Sequence, residues 1–121
     1  MSPVEETVER YGRAWREPDP VARTRLLDAC WADDGVYCDP TARVRGRAGL
    51  AEHIGGFQEQ FAGCRIELTT APDEHDGYVR FGWRIVRDGG DQVSEGTDFG
   101  ELDDDGRLRR IVGFFGALRP A

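Results

Sequence analysis

The spacing of apolar residues divides the chain into a helical first half and a strand-rich second half. A helix is predicted from Pro3, because Ser2 and Glu5 have the spacing of a capping box and proline suits a first turn. Apolar side chains then recur every three or four residues, as on one face of an α-helix. The positions of this stripe are Val4, Val8, Tyr11 and Trp15.

Two further helices are predicted in the first half. Asp19-Pro20 opens the second helix, which continues to about Ala32, where the polar segment ADDG ends it. A short strand, Val36–Asp39, follows and stops at a proline. The third helix runs from about residue 47 to residue 61 and carries a second apolar stripe. This stripe consists of Leu50, Ile54, Phe57 and Phe61.

The second half has the two-residue period of β-strands. One strand alternates Cys64, Ile66 and Leu68 with polar residues, and the last strand is predicted from about Leu108 to Ala117. The segments RDGGD and DDDGR have turn composition and separate long strands. The most regular alternation places four apolar side chains on one face, namely Val79, Phe81, Trp83 and Ile85.

This order of elements predicts an α+β fold. Three helices and one early strand precede three or four long strands, which favours helices packed on one face of a curved antiparallel sheet. The chain contains no internal repeat, linker or low-complexity tract. Residues 1–121 are therefore interpreted as a single domain.

The charge of the chain narrows the choice of partners. The formal net charge is −7 and the isoelectric point is about 4.8, and the arginines form no run. A phosphate backbone or an anionic membrane requires clustered basic residues. We therefore expect neither nucleic acid nor a membrane as a partner.

The cysteines and the N-terminal segment bear on the cellular location. Cys30, Cys38 and Cys64 are odd in number and lack CxxC spacing, which favours free thiols in a reducing compartment. The first residues lack the pattern of a signal peptide, and no apolar run approaches the roughly 20 residues that span a bilayer. A cytoplasmic location is expected.

Four polar or ionisable residues stand on faces that are otherwise apolar, where an unpaired charge is costly. Asp39 shares a strand face with Tyr37, and Glu95 is placed between Val93 and Thr97 on one strand face. Each has a structural alternative: an Asp-Pro turn for Asp39, an outward register for Glu95, a core hydrogen bond for Tyr11, and a half-exposed helix position for His53. No catalytic triad and no metal-ligand cluster is recognisable, so neither a hydrolytic triad nor a metal site is expected.

Motifs along nearly the whole chain resemble the nuclear transport factor 2-like superfamily, in particular the SnoaL-like and ketosteroid-isomerase-like small proteins. They are RYGRAW, WADDGVYCDP, VRGRAGLAEHI, VRFGW and GTDFGELDDDGRLRRIVGFFG. The resemblance implies a cone, in which a strongly curved sheet wrapped by three helices leaves a deep apolar pocket open at one end. It also implies a homodimer formed through the outer face of the sheet.

The resemblance further implies an isomerase-like site that works without a cofactor. Asp39 resembles the general base that moves a proton on carbon, Tyr11 the hydrogen-bond donor to an enolate oxygen, and Glu95 the second, protonated acid. The implied ligand is a small apolar or polyketide-like carbonyl compound. The expected pocket wall consists of Tyr37, His53, Phe57, Phe81, Trp83 and Phe115.

Departures from the isomerase pattern leave two other functions open. Glu95 is one methylene longer than the isomerase acid, and His53 stands where an aromatic residue is expected, so a steroid substrate is disfavoured. One alternative is a hydrolase or hydratase in which Asp39 and His53 activate water. The other is a non-catalytic ligand-binding or dimeric accessory protein, in which Asp39 bonds to backbone and Glu95 faces solvent.

Overall fold

Three helices form where the apolar spacing predicts them in the computed structural model, which describes all of residues 1–121. Their bounds are α1 (Pro3–Arg16), α2 (Pro20–Cys30) and α3 (Gly46–Gln60). The predicted start signals are confirmed: the Ser2 hydroxyl accepts from the Glu5 backbone N–H, and Glu5 accepts from that of Ser2. Asp19 caps α2 by accepting from the Ala22 N–H at 3.0 Å.

Seven strands form one open, strongly curved sheet, and β4 pairs only with β5 at its side. The order of the other strands is β2-β1-β7-β6-β5-β3, so the sheet has two free edges and is not a closed barrel. The bounds are β1 (Trp31–Asp39), β2 (Ala42–Arg45), β3 (Cys64–Leu68), β4 (Asp73–His75), β5 (Tyr78–Arg87), β6 (Gln92–Leu102) and β7 (Leu108–Phe115).

The sheet is mixed, which corrects the prediction of an antiparallel sheet. β1 runs parallel to β7, while the remaining pairs are antiparallel. Parallel neighbours require a long crossover, and here α3 and five strands connect the two. The direction of this pairing leaves no trace in the alternation of side chains within either strand.

The first strand is longer than predicted and α2 is shorter. Trp31 and Ala32 belong to β1, where both are buried, and a register shift separates Trp31 from Val36. The shift interrupts the two-residue period, so the polar residues of ADDG read as a helix stop although they lie within a strand. The short strands β2 and β4 have no counterpart among the predicted elements.

The hydrophobic core lies between the concave face of the sheet and the three helices. Val79, Phe81, Trp83 and Ile85 are buried on that face, as their alternation predicts. Val8, Leu27 and Leu50 bring one apolar residue from each helix into the core. None of the helices combines the length and the apolar character that crossing a bilayer would require.

Candidate functional site

A cavity of about 700 Å³ opens between the concave face of the sheet and helices α1 and α3. All six residues predicted for the pocket wall line it, and Trp15 and Phe61 add further aromatic surface. Of the predicted catalytic residues, Tyr11 and Asp39 line the cavity, whereas Glu95 does not.

Asp39 ends β1 at the wall of the cavity, beside the exposed Thr41. Its Oδ2 accepts a hydrogen bond from the Tyr37 hydroxyl at 2.6 Å, and its Oδ1 accepts from the Thr41 N–H and hydroxyl at 2.7 and 2.8 Å. Burial acts to raise the pKa of Asp39, but these hydrogen bonds and nearby His53 outweigh it and lower the pKa below its ordinary value. Asp39 is thus a fixed carboxylate and a weak base.

His53 projects from α3 toward the same carboxylate. Its Nε2 lies 3.9 Å from Asp39 Oδ2, which is longer than a hydrogen bond. The imidazole packs against the rings of Trp15 and Tyr37, with centroid distances of 5.8 and 5.2 Å. The Asp39–His53 hydrogen bond that the water-activating hypothesis requires is therefore not formed.

The predicted position of Glu95 in the pocket is wrong. Glu95 is exposed on the outer face of β6, and the acid on the cavity side of this strand is Asp98. The inner face of β6 carries Ser94, Gly96, Asp98 and Gly100, whereas the apolar residues Val93 and Phe99 point outward.

Bulky side chains on β5 explain why the inner face of β6 carries small or polar residues and the outer face carries apolar ones. Gly96 pairs with Trp83, and a Cβ at Gly96 would lie 2.2 Å from the indole and 2.3 Å from the Phe114 carbonyl oxygen. Only glycine therefore fits beneath Trp83. Glycine or serine at alternate positions, with one acid among them, is the signal that would have identified the inner face.

Asp98 is the most strongly perturbed acid of the site, with only 7 % of its surface exposed. Trp83 Nε1 donates a hydrogen bond to its Oδ1 at 3.0 Å, and Oδ2 has no hydrogen-bond partner in the chain. Burial raises the pKa of Asp98 to about 7; the Trp83 hydrogen bond lowers it and the charge of Asp39 raises it. This carboxyl group can exchange a proton near neutral pH.

Gly113 separates the two aspartates on the concave face. It pairs with Asp98 across β6 and β7, and it follows Val112, the partner of Cys38 on β1. A Cβ at Gly113 would lie 2.9 Å from Asp98 Oδ1 and 3.5 Å from the Cβ of Asp39. The glycine thus leaves the space between Asp98 Oδ1 and the Cβ of Asp39 free of a side chain.

The Tyr11 hydroxyl is buried and has no hydrogen-bond partner in the chain, although the residue lines the cavity. The ring stacks on Trp31 at 5.7 Å and meets Phe81, the strand partner of Asp98, edge-on at 6.2 Å. Burial and the charge of Asp98 raise the pKa of Tyr11 well above its ordinary value. The hydroxyl therefore keeps its proton and is a donor without a partner in the chain.

The side chains of the cavity limit the chemistry further. The sequence contains no lysine, so a lysine imine with a carbonyl substrate is not available here. No group of three or more His, Cys, Asp or Glu side chains is arranged to hold a metal ion. The polar side chains that line the cavity carry carboxyl and hydroxyl groups, the Gln60 amide, the His53 imidazole and the indoles of Trp15 and Trp83.

Comparison with known proteins identifies the family to which this chain belongs. Residues 8–111 match the SnoaL-like domain family. Among the curated proteins, none matches this chain.

Solved structures give the same result. A candidate isomerase of the SnoaL-like family from Agrobacterium tumefaciens is 34% identical, with a TM-score of 0.90 and coverage of 97% of this chain and 100% of the other. An NTF2-like protein of unknown function from Cytophaga hutchinsonii is 11% identical, with a TM-score of 0.69 and coverage of 93% and 89%. A candidate polyketide cyclase from Sinorhizobium meliloti is 19% identical, with a TM-score of 0.69 and coverage of 89% and 93%. The chain therefore belongs to the SnoaL-like domain family and has the NTF2-like fold.

Proposed function

We propose that this protein is a cofactor-free enzyme that transfers a proton on a small carbonyl compound, with isomerase- or cyclase-like activity. The observation that carries the proposal is Asp98, a buried carboxyl group at the cavity wall with a pKa of about 7. A general acid–base group works best when its pKa lies near the pH of the reaction. The description of a 34% identical relative as a candidate isomerase supports the same reaction class.

In the proposed reaction, the Asp98 carboxylate removes a proton from the carbon beside the carbonyl group. The C–H electron pair forms the enolate, and the Tyr11 hydroxyl donates a hydrogen bond to the oxygen that becomes negative. When the carbonyl compound is β,γ-unsaturated, the enolate is a conjugated dienolate, and return of the proton from Asp98 to its γ-carbon completes an isomerisation. Attack of the enolate carbon on a second carbonyl of the same molecule, whose oxygen takes the proton from Asp98, completes a ring closure.

The proposal reassigns the base from Asp39 to Asp98. Asp39 accepts three hydrogen bonds and has a lowered pKa, so it is a poor proton acceptor. Its fixed negative charge instead raises the pKa of Asp98. Two aspartates with opposite shifts give the site one permanent charge and one exchangeable proton.

The binding-module hypothesis remains the second candidate because two of its features are present. Glu95 is exposed, and Asp39 accepts from the backbone of Thr41. That hypothesis gives no role to Asp98 or to the unpaired Tyr11 hydroxyl, and these two groups favour the enzyme.

Exchange of the α-protons of 2-tetralone in D2O, followed by proton NMR, tests the proposal. We expect catalysed exchange whose rate rises through about pH 7 as Asp98 ionises, and a loss of at least about 100-fold in Asp98→Asn. Glu95→Gln is the matched control, because it changes a carboxyl to an amide on the outer face of the same strand. Equal rates for wild type and Asp98→Asn, or no catalysis by the wild type of 2-tetralone and related small ketones, would support the binding module.

Asp39→Asn separates the two aspartates. Since the charge of Asp39 raises the pKa of Asp98, its removal should move the midpoint of the rate–pH profile to lower pH while exchange persists. If Asp39 were the base, the same variant would abolish exchange at every pH.

A further inference from the structure

The charges around the cavity are almost all of one sign. The chain has 16 basic residues, all arginines, yet none of them lines the cavity. The ionisable groups that line it, apart from tyrosine, are four carboxyls and one imidazole: Asp39, Glu52, Glu67, Asp98 and His53. The cavity therefore offers an incoming anion no guanidinium or ammonium partner.

Asp39 contributes the most fixed of these charges. Its side chain is 6 % exposed, and three hydrogen bonds hold it at the cavity wall. Glu52 is exposed at the same cavity and forms no salt bridge, whereas Glu67 is paired with Arg84 at 3.1 Å. Asp39 and Glu52 thus place negative charge at the cavity wall that no arginine neutralises, and His53, 3.9 Å from Asp39, is the one lining group that can become cationic.

The remaining wall is aromatic and aliphatic. Trp15, Phe57, Phe61, Phe81 and Trp83 line a space of about 700 Å³, within the range of about 300–1,000 Å³ that holds drug-sized ligands. A carboxylate or phosphate placed there would be desolvated beside four carboxyl groups and without a guanidinium or ammonium partner, which is costly. An uncharged aromatic ligand loses little hydration and gains contact with these rings.

We propose that this cavity selects its ligands by charge: it accepts uncharged compounds and excludes compounds of the same frame that carry a carboxylate or phosphate. This selection rests on the side chains of the cavity and not on the proposed function. Acids of the same size and shape are therefore rejected at binding, before any chemistry.

A matched pair of probes tests the selection by binding alone. 2-Acetylnaphthalene and 2-naphthoate share a ring system and nearly the same size, and differ in charge. We expect the ketone to bind at least tenfold more tightly at pH 7.5, as measured by calorimetry. Asp39→Asn and Glu52→Gln should each narrow this ratio at least threefold, and added salt should narrow it in the wild type by screening.

Glu95→Gln removes the same charge from the outer face and should leave the ratio unchanged. If Asp39→Asn does not fold, as judged by circular dichroism, Glu52→Gln decides the outcome, since Glu52 is exposed and makes no structural bond. Equal binding of the two probes, tighter binding of the acid, or no detectable binding of the ketone would overturn the proposal. Binding selection without 2-tetralone exchange would reject the proposed function and keep the charge selection.

Discussion

Asp39 and Asp98 have identical side chains, and their surroundings give them opposite proton affinities. Asp39 is held by Tyr37 and Thr41, whose hydrogen bonds favour the charged form. Asp98 is buried with one indole hydrogen bond, so its neutral form is favoured. Burial is the main cause of the raised pKa of Asp98, which has one donor, whereas the three donors to Asp39 outweigh its burial. Two of those three donors come from Thr41, in the turn that follows β1.

The raised pKa of Asp98 predicts a specific dependence of stability on pH. The folded state binds this proton more tightly than the unfolded chain, whose pKa is near the ordinary value of 3.8. The contribution is complete below about pH 4 and is lost as pH rises to about 7. The two pKa values differ by an amount that corresponds to about 4 kcal/mol.

Urea unfolding of wild type and Asp98→Asn at several pH values measures this contribution. We expect the free energy of unfolding of the wild type to fall relative to that of the variant between pH 4 and pH 7.5. Other carboxylates affect both proteins alike, so the difference isolates Asp98. Parallel curves would mean that Asp98 titrates as it does in the unfolded chain.

At the scale of elements, the large side chains of β5 determine which residues fit on the inner face of β6. The large side chains Phe81 and Trp83 face Asp98 and Gly96, and Trp83 fixes the carboxyl group through its indole N–H. A sheet face that combines bulky residues on one strand with glycines on the next fills the concave side without closing the cavity.

Gly96→Ala should therefore disturb both packing and the site. The added methyl group would clash with Trp83 and with the Phe114 carbonyl, so we expect a loss of about 1–3 kcal/mol in unfolding free energy. Gly56→Ala in α3 is the control, because a Cβ there meets nothing within 4 Å and alanine favours a helix. Thermal unfolding of both variants measures the difference, and equal stability would show that both Trp83 and the Phe114 backbone can move aside.

Features whose signal lies within a few residues of the sequence were predicted correctly. Features that depend on partner residues across the sheet were not. The capping box at Ser2 and the alternation of Val79 to Ile85 are each contained within a few residues, and both are confirmed. The face of β6 was assigned by its apolar residues, but the identity of its inner residues depends on Trp83, 13 positions before Gly96. The parallel pairing of β1 with β7 joins the two halves of the chain and has no local signature.

At the scale of the whole molecule, the outer face of the sheet carries exposed aromatic residues. Tyr78 and Phe99 stack there with ring centroids 5.9 Å apart, and Phe114 is 61 % exposed. Arginines and glutamates flank them, as in the Arg109–Glu101 pair at 2.8 Å, so two copies of this face can match apolar and charged groups. We propose that the protein forms a homodimer through it.

Light scattering after size exclusion tests the dimer. The wild type should have twice the monomer mass of 13.5 kDa, and Phe99→Arg should shift it toward the monomer. Val21→Arg introduces the same charge at an exposed apolar residue of α2 and should leave the mass unchanged. A monomeric wild type at micromolar concentration would contradict the proposal.

Because of the hydrogen bond from Trp83 to Asp98, tryptophan fluorescence can also report the protonation state of Asp98. Of the three tryptophans, Trp83 alone donates its indole N–H to a carboxyl group. A carboxylic acid and a carboxylate quench indole emission differently, so the emission of Trp83 should change as Asp98 titrates near pH 7. The proton on which the proposed chemistry depends can thus be followed in the free protein, before any substrate is known.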